Sequence, residues 1–329
     1  MTNFWIENKI PLYSLAPMED VTDTIFRELV LRLSSPDKLH IVFTEFCNVE
    51  GLNHPVGRER VGERLIVSAS ERKLLKEKGV KLVAQIWGKT PEIFNRISTW
   101  ITKNYEFDGL DINMGCPVKK IVKQGACSAL INQPDLAREI IQATKEGTSL
   151  PVSVKTRTGL SSHQTQEWIG RLLESDPAAI ILHGRTQSMQ SDGEANWEEI
   201  ARAVQIRNES GKDIPIHGNG DVFSMEIAKQ RIEQTGVNGV MVGRGIFYNP
   251  WMFNPEMKII SKEERITQLL FHTRLFEKMW AGQKNFNILK RFYKIYLNNF
   301  PGAAQIRAAL METKSYDEVY CYFTDFSNI

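Results

Sequence analysis

Short apolar segments alternate with longer amphipathic segments over most of the chain. The apolar segments are rich in β-branched residues and predict strands, while an apolar period of about 3.6 residues predicts helices between them. The predicted strands are 12–18, 41–46, 81–88, 109–116, 150–157, 178–184, 214–219 and 239–243. The predicted helices are 22–33, one within 90–103, 134–147, 163–175, 196–208 and 224–235. This alternation implies parallel strands joined by right-handed crossovers.

Eight strand–helix units in the first 243 residues predict an α/β fold, a closed (β/α)8 TIM barrel. A doubly wound open sheet is the alternative. The chain lacks the glycine-rich turn, G-x-G-x-x-G, that many such sheets carry after their first strand, and this favours the barrel.

The strand pattern stops beyond about residue 255, where helices are predicted at 261–281 and 285–299. We therefore divide the chain into a barrel domain, residues 1–250, and a helical domain, residues 251–329. Charge differs between the two parts: residues 258–294 carry nine Lys and Arg against three Glu, while residues 1–254 carry 30 Lys and Arg against 31 Asp and Glu. A basic block of this kind suggests a polyanionic partner, although a solvated helix surface would also explain it.

The composition is that of an ordinary soluble protein, with 42% hydrophobic and 24% charged residues among 329. No apolar run approaches the roughly 20 residues that span a bilayer, and residues 1–14 lack the features of a signal peptide. The four cysteines show neither C-x-x-C spacing nor a zinc-site pattern with the six histidines. We expect a cytoplasmic protein without membrane contact or metal, and a monomer.

Polar residues collect where the predicted strands end. In a barrel all these ends share one rim, which is where TIM barrels carry their active sites. A single Asn or Gln at a strand end more often satisfies loop backbone than binds a ligand, but accumulation on one rim favours a ligand site. The polar ends are 16–20, Thr44 and Glu45, Gln85, Asn113 and Cys116, Lys155 and Arg157, 183–186, 219–221, and 243–245.

The last two loops suit a phosphate-bearing cofactor. Gly220, Gly243 and Gly245 let backbone N–H groups approach an anion closely, and Arg244 can add a charge-assisted contact. The Gln85 amide matches the edge of a flavin pyrimidine ring, and Lys155 supplies positive charge where a reduced flavin is anionic. A salt bridge between Lys155 and Glu45 or Asp111 is the structural alternative.

The segment 109–117, GLDINMGCP, ends the fourth predicted strand on a cysteine between Gly115 and Pro117. Cysteine is usually buried and inert, yet a thiol at this end of a parallel strand is well placed for chemistry. The segment alone leaves both interpretations of Cys116 open.

At these residues the sequence resembles the tRNA-dihydrouridine synthases, flavoenzymes that reduce uridine in tRNA. The matching blocks are APMEDVTD at 16–23, DINMGCP at 111–117, VKTRTG at 154–159, HGRT at 183–186, GNGD at 218–221 and VGRG at 242–245. They span the barrel in order, and N-M-G-C-P is highly specific. The helical part resembles the family's C-terminal tRNA-binding domain, including LKRFYKIY at 289–296. The family commonly has Gly in place of Asp20 and Glu in place of Asp221.

The resemblance implies a role for each matching residue. FMN would be held by Pro17, Met18, Glu19, Gln85, Lys155, His183, Asn219, Gly220, Asp221, Gly243 and Arg244. Cys116 would be the catalytic acid. The substrate would be contacted by Asn113 and Arg185 at the target uracil, and by Asn48, Lys290, Arg291 and Lys294 along the tRNA.

The implied reaction reduces the uracil C5–C6 double bond. Flavin N5 would deliver a hydride to C6, and Cys116 would give a proton to C5. A thiol with an ordinary pKa of about 8.5 is mostly protonated at neutral pH, so we expect Cys116 to act without special tuning. No separate nucleotide-binding domain is visible in the sequence, so NADPH (or NADH) is expected to reduce FMN at the same face and leave before tRNA enters.

Two other functions stay open. A barrel flavoenzyme reducing a small pyrimidine or enone would share the phosphate site and Lys155. It would not need the basic tail, as we call the block at residues 258–294. A non-catalytic RNA-binding barrel would bind no flavin. The modified position is also open: residues 16–23 and Thr44-Glu45-Phe46 look most like bacterial C-type enzymes, which modify position 16, whereas N-M-G-C-P is nearer the B-type.

Overall fold

A closed parallel barrel forms the centre of the molecule, as the sequence predicts. The computed structural model describes residues 3–7, 11–257 and 259–325. The strands are β1 (Leu12–Leu15), β2 (Ile41–Phe43), β3 (Cys47–Asn48), β4 (Lys81–Trp87), β5 (Gly109–Met114), β6 (Val152–Arg157), β7 (Ile180–His183), β8 (Ile216–Asn219) and β9 (Gly239–Val242). Pairing runs β2-β1-β9-β8-β7-β6-β5-β4-β3, and a β2–β4 pairing closes the ring. The two-residue β3 continues the second position of the barrel beside the end of β4.

Helices surround the barrel and form the C-terminal part. They are α1 (Phe4–Glu7), α2 (Thr24–Leu33), α3 (Val49–Asn53), α4 (Pro55–Val61), α5 (Ala69–Lys78), α6 (Pro91–Asn104), α7 (Lys119–Val122), α8 (Pro134–Gly147), α9 (Thr165–Glu174), α10 (Trp197–Glu209), α11 (Met225–Thr235), α12 (Lys262–Trp280), α13 (Tyr293–Tyr296), α14 (Ala303–Leu310) and α15 (Tyr316–Asp325). Segments of 3₁₀ helix cover Gly62–Leu65, Cys127–Asn132, Arg244–Phe247 and Phe286–Phe292. None of the described helices is long and apolar enough to cross a bilayer.

The helix predicted at 285–299 is wrong in type. Phe286–Phe292 is a 3₁₀ helix, followed by the single α-helical turn of α13. The buried side chains of Leu289, Phe292, Tyr293 and Tyr296 recur at the i, i+3, i+4 and i+7 spacing that predicts an α-helix, so the apolar pattern does not reveal the 3₁₀ segment.

Helices α3 to α5, between β3 and β4, are absent from the sequence-based prediction. Their residues are mostly polar, so the apolar period is weak. End signals do exist for α5: the Ser68 hydroxyl accepts from the Glu71 N–H (3.0 Å), and Gly79 ends the helix in the left-handed conformation (φ 66°). These signals mark a helix where periodicity does not.

The N-terminal end of the barrel is closed by apolar packing. Phe4 and Trp5 of α1 join an interior cluster with Ile41 and Phe43. Trp5 also meets His217 of β8 edge-on, with ring centroids 4.9 Å apart. This apolar packing fills the interior at the N-terminal ends of the strands, while the polar strand ends described above lie at the opposite rim.

The C-terminal helices pack against α2. The ring of Phe26 contacts Phe247, His272 and Phe292, with centroids 6.3, 6.0 and 5.3 Å away. The Trp280 indole N–H donates to Asp23 Oδ2 (3.0 Å), while Asp23 Oδ1 caps the start of α2. The apolar core of this part is continuous with that of the barrel. The domain boundary at residue 250 stays a prediction.

A buried ion pair joins α2 to α5. The Arg27 guanidinium donates to both oxygens of Glu71 (2.6 and 2.9 Å) and also to the carbonyls of Thr22 and Ile66. Both charged side chains are fully buried. Removing one partner leaves the other buried without an opposite charge, which is far more costly than losing an exposed pair.

We expect Arg27→Met to lower the free energy of unfolding by about 3–5 kcal/mol, measured by urea denaturation followed by circular dichroism. The exposed Lys73–Glu77 pair supplies a matched control, since Lys73→Met should change stability by no more than about 0.5 kcal/mol. Adding Glu71→Met to Arg27→Met should recover much of the loss. A loss below about 1 kcal/mol in the Arg27 variant would contradict this.

Candidate active site

A cleft of about 210 Å³ opens at the C-terminal ends of the strands. Nine of the eleven residues predicted to hold a cofactor line it: Pro17, Met18, Lys155, His183, Asn219, Gly220, Asp221, Gly243 and Arg244. Arg185, predicted to contact substrate, lines the same cleft together with Arg157, Ser191 and Phe223. The structure therefore brings most of the predicted rim into one cavity.

Lys155 projects into this cleft from β6. Its ammonium donates to Asn219 Oδ1 (3.0 Å), and the Asn219 amide donates to the Met241 carbonyl (2.8 Å). These bonds link three strands across the cleft. Burial, with the nearby Arg157, lowers the pKa of Lys155 to about 8, so the ammonium form still predominates at neutral pH.

The cleft is strongly positive. Burial holds the pKa of His183 well below its usual range, and the neighbouring charges of Lys155, Arg157, Arg185 and Arg244 lower it further. His183 is therefore neutral amid four cations. Such a concentration of positive charge suits an anionic ligand such as a phosphate, and so these residues fit FMN.

Two glycines shape the wall. Gly220 has φ 128°, and a Cβ there would lie 2.5 Å from the Ala195 Cβ. Gly243 differs, because a Cβ there would meet only the Ala16 Cβ, at 3.8 Å. Packing within the protein therefore does not demand glycine at 243. The missing side chain leaves backbone open on the cleft surface, as a closely bound phosphate requires.

Asp221 organises the arginines. Both of its oxygens accept from Arg185 Nη2 (2.7 Å each), and Oδ2 also accepts from the Ala195 N–H (2.7 Å). Arg244 lies 3.6 Å from its other oxygen. Asp221 thus aligns two cations at the rim, which explains why a carboxylate is present in a site built for an anion.

Gln85 and Asn113 belong to a buried chain of hydrogen bonds behind the cleft. Ser153 donates to Asp111 (2.6 Å), the Gln85 amide donates to the same carboxylate (2.7 Å), and the Asn113 amide donates to Gln85 Oε1 (3.0 Å). Burial raises the pKa of Asp111 to about 6. Gln85 has no exposed surface, so both ends of its amide are used inside the protein.

The turn that carries Cys116 is held by hydrogen bonds between side chains and its backbone. Asn113 Oδ1 accepts from the N–H groups of Gly115 and Cys116 (3.0 Å each). Arg157 Nε donates to the Gly115 carbonyl (2.7 Å), and the Ser128 hydroxyl donates to the Cys116 carbonyl (2.9 Å). Because Asn113 pairs with Lys155 in the β5–β6 register, this turn lies beside the cleft.

The Cys116 thiol is tuned, contrary to the sequence-based expectation of an ordinary pKa. A hydrogen bond from the Cys127 thiol is the main cause that lowers its pKa to about 7, with help from the Val118 N–H and the charge of Arg157, against the effect of burial. A thiol with this pKa is a stronger acid than free cysteine and remains about half protonated at neutral pH.

The other predicted residues lie outside the cavity lining. Glu19 pairs with Arg64, and Asn48 caps α3 by accepting from the Gly51 N–H (2.6 Å). Lys290 bonds the Met311 carbonyl, and Arg291 lies 3.9 Å from Asp20. Lys294 is exposed, while Phe292, Tyr293 and Tyr296 are buried. The basic residues of 289–296 thus face outward and the aromatic residues face the core.

Two residues near the proposed acid, Arg157 and Cys127, were given no functional role from the sequence. Arg157 lines the cleft and holds the Cys116 turn, and its position two residues after Lys155 on one strand was an available signal. Cys127 carried no such signal, because its contact with Cys116 depends on how the intervening loop folds. Among the residues that the structure describes, no three His, Cys, Asp or Glu side chains gather to hold a metal ion.

Fold and site together define a TIM barrel whose rim suits a phosphate-bearing cofactor and presents an acidic thiol. The model of the dihydrouridine synthase family matches residues 14–327, and the chain belongs to that family. A probable tRNA-dihydrouridine synthase 2 of Bacillus subtilis (strain 168) is 41% identical over 326 residues, covering 98% of this chain and 96% of the relative. A probable tRNA-dihydrouridine synthase of Staphylococcus aureus (strain COL) is 40% identical, covering 98% and 95%.

Two solved structures share the barrel at low identity. One is 6-hydroxypseudooxynicotine amine oxidase from Pseudomonas geniculata N1, with a TM-score of 0.55, 12% identity and coverage of 75% of this chain and 46% of that one. The other is 2-naphthoyl-CoA reductase in complex with 2-naphthoyl-CoA, with a TM-score of 0.53, 11% identity and coverage of 75% and 50%. At this identity the likeness concerns the fold alone.

The lowered pKa of Cys116 predicts its reactivity. Labelling with iodoacetamide, followed by mass spectrometry of the Cys116 peptide, should rise with pH around a midpoint near 7, because the thiolate is the reacting form. The exposed Cys321 gives an internal reference for reagent quality in every sample. A Cys116 midpoint at or above about 8.5, the value of a free thiol, would refute this.

Proposed function

We propose that this protein is a tRNA-dihydrouridine synthase that reduces the C5–C6 double bond of a D-loop uridine in tRNA, using FMN and NADPH or NADH. The observation that carries the proposal is the Cys116 turn, which Asn113, Arg157 and Ser128 hold beside a cation-lined cleft. Membership of the family and relatives at about 40% identity support the same activity. Because the proposed substrate is tRNA, the protein is proposed to act in the cytoplasm.

The cleft residues are proposed to hold FMN. Arg244, with the open backbone at Gly220 and Gly243, would bind the phosphate, while Lys155 and the neutral His183 would face the ring. Glu19 and Gln85 would act from behind the lining, Glu19 through Arg64 and Gln85 through Asn113. Bound FMN would supply the hydride that reaches C6, after taking it from the reduced nicotinamide nucleotide.

Cys116 is proposed to complete the reduction. Hydride addition at C6 leaves negative charge over C5 and O4 of the base, and the Cys116 S–H gives its proton to C5. Asn113 would keep the thiol at a constant position through its bonds to the N–H groups of Gly115 and Cys116. Arg157 would favour the thiolate that remains, because its buried positive charge lies nearby.

Asn113 and Arg185 remain our predicted contacts with the uracil. Each already has protein partners: Asn113 bonds Gln85, and Arg185 bonds Asp221. A contact with the base therefore requires each side chain to exchange or share a hydrogen bond when substrate enters. Arg185 Nη1 lies 3.2 Å from His183 Nε2, and this contact with an uncharged ring is the natural one to exchange, because the bonds to Asp221 join opposite charges.

The outward basic residues of the tail, Lys290, Arg291 and Lys294, are proposed to contact tRNA phosphates, with Asn48 along the same path. Withdrawing a uridine from the tRNA fold costs a few kcal/mol in lost stacking. Phosphate contacts offset that cost without reading sequence. Asp20, which faces Arg291, would lose this partner to phosphate when tRNA binds.

Replacing the proposed acid should separate the two halves of the reaction. Cys116→Ala should retain flavin and its reduction by NADPH, and should lower dihydrouridine formation by about 10²–10⁴-fold, because no proton donor remains. Flavin absorbance follows the first half, and mass spectrometry of digested tRNA follows the second. Cys321→Ala, an exposed position on α15, is the matched control with normal activity. Full activity of Cys116→Ala would remove the proposed acid.

Charge reversal in the tail should affect tRNA alone. Lys290→Glu with Arg291→Glu should weaken tRNA binding by about tenfold or more at low salt and flatten its salt dependence, since two phosphate contacts are lost. Flavin content and reduction by NADPH should be unchanged. Arg202→Glu with Lys229→Glu, two exposed positions on α10 and α11, makes the same charge change on the barrel. Equal tRNA affinity of the two double variants would show that the tail is only a solvated surface.

A further inference from the structure

A second cavity, which we call the side cavity, lies beside the proposed FMN cleft. It has a volume of about 420 Å³ and is built from the loops that follow β7, β8 and β9, together with α11. Its lining shares five residues with the cleft, namely Arg185, Ser191, Asp221, Phe223 and Arg244. Because Arg244 belongs to the proposed phosphate site, the side cavity adjoins that end of the cleft, and a long ligand can occupy both.

The arginines of the side cavity carry charge that a ligand can use. Arg185 is balanced by Asp221, whose two oxygens both accept from its Nη2 (2.7 Å each). Arg244 lies 3.6 Å from the same carboxylate, and its side chain is 50% exposed. With Arg231, the lining holds three arginines against two carboxylates, Asp221 and Glu194. The excess of positive charge favours an anionic ligand.

Arg231 is located by contacts with neutral groups. Its Cζ lies over the Trp197 ring, 5.2 Å from the centroid, and its Nη1 donates to Gln234 Oε1 (3.3 Å). The Trp197 indole N–H in turn donates to the Gly220 carbonyl (2.9 Å), which ties this side of the cavity to the wall of the cleft. These contacts hold the guanidinium in place without cancelling its charge.

An aromatic pair completes the side cavity. Phe223 is 39% exposed and Tyr248 is 67% exposed, although large aromatic side chains usually bury most of their surface. The two rings meet edge to face, with centroids 5.1 Å apart and planes at 77°, so each limits the movement of the other. Exposed rings beside arginines suit a ligand that combines a planar base with phosphate groups.

We propose that the side cavity binds the adenosine half of the reduced nicotinamide dinucleotide and selects NADPH over NADH. The identity of this ligand as the reductant rests on the proposed function. Arg231 would pair with the 2′-phosphate, and Tyr248 would stack against adenine. Arg244, which both cavities share, would contact the diphosphate bridge. The nicotinamide half would then extend into the cleft, towards the proposed site of the flavin.

The form of the side cavity favours a dinucleotide over tRNA as its occupant. One nucleotide needs a concave site for a single base and few phosphates, which two arginines and an aromatic pair supply. A tRNA backbone instead needs cations spread along an extended path. The basic tail offers outward cations of that kind, and its helices pack against α2, whereas the side cavity is built from the loops after β7 to β9.

The first test measures binding of adenosine 2′,5′-bisphosphate to the FMN-loaded protein by isothermal titration calorimetry. Arg231→Met and Tyr248→Ala should each weaken binding by about tenfold, because a charge-assisted contact or a stacked ring is lost. Arg231→Lys should retain more affinity than Arg231→Met. Adenosine 5′-monophosphate should bind more weakly and should not distinguish Arg231→Met from the unaltered protein. Arg202→Met and Tyr320→Ala, at exposed positions on α10 and α15, are the matched controls with unchanged affinity.

The second test measures flavin reduction in the absence of tRNA. With NADPH, the concentration that gives half the limiting rate should rise about tenfold in Arg231→Met and in Tyr248→Ala, while the limiting rate stays within about twofold. With NADH, Arg231→Met should have little effect because no 2′-phosphate is present, whereas Tyr248→Ala should still weaken binding. A general packing defect would affect both dinucleotides alike, so this difference identifies the phosphate contact.

Unchanged affinity for adenosine 2′,5′-bisphosphate in both Arg231→Met and Tyr248→Ala would overturn the proposal. Equal losses with NADPH and NADH in Arg231→Met would also overturn it. Weaker tRNA binding in both variants, with nucleotide binding unchanged, would assign the side cavity to RNA instead. If Arg231→Met does not fold, Tyr248→Ala still decides, because it changes an exposed ring.

Dihydrouridine formation is measured separately, so the two proposals can fail independently. A protein that shows the expected nucleotide binding but leaves tRNA unmodified would refute the proposed function and leave the nucleotide site standing. Modification of tRNA by Arg231→Met and Tyr248→Ala, with nucleotide binding unchanged in both, would support the proposed function and refute the site.

Discussion

Parallel closure of the barrel is the constraint on which the site depends. All paired strands run in one direction, so every strand delivers its last residue to the same rim. Phe4 and Trp5 fill the opposite end with apolar side chains. Charged groups that no single loop could hold together are thereby forced into one cleft, where Lys155, Arg157, Arg185 and Arg244 surround a neutral His183. The repulsion among these four positive charges is unfavourable, and a bound anionic ligand reduces it.

The way these cations are held divides the site in two. Arg185 is tied to Asp221, and Lys155 is tied to Asn219, so the phosphate side of the cleft is arranged before any ligand arrives. The thiol side depends on a turn whose geometry comes from Asn113, Arg157 and Ser128. Arg157 belongs to both sides, since it lines the cleft and bonds the carbonyl before Cys116.

The barrel was predictable because each strand is a short apolar run and most barrel helices keep a clear apolar period. Helices α3 to α5 were missed because their residues are mostly polar and only the end signals at Ser68 and Gly79 mark them. The residues of the rim were predictable because each follows the end of a predicted strand. The bond between Asn113 and Gln85 was not predictable, because it joins side chains of two different strands. The lowered pKa of Cys116 was not predictable either, because it depends on how the loop that carries Cys127 folds against the turn.

The link between Trp280 and Asp23 has a consequence for how the chain folds. These residues are 257 positions apart, and β1 pairs with β9, so neither the ring of strands nor the cover of α2 is complete until the last third of the chain is present. Contacts of such long range slow folding, because much chain must be ordered before they form. During synthesis the apolar face of α2 around Phe26 therefore remains exposed to solvent. It is covered only once α12 and the 3₁₀ segment Phe286–Phe292 have been synthesised. The C-terminal segment thus completes the cover of α2, and a chain truncated before it would expose an apolar surface prone to aggregation.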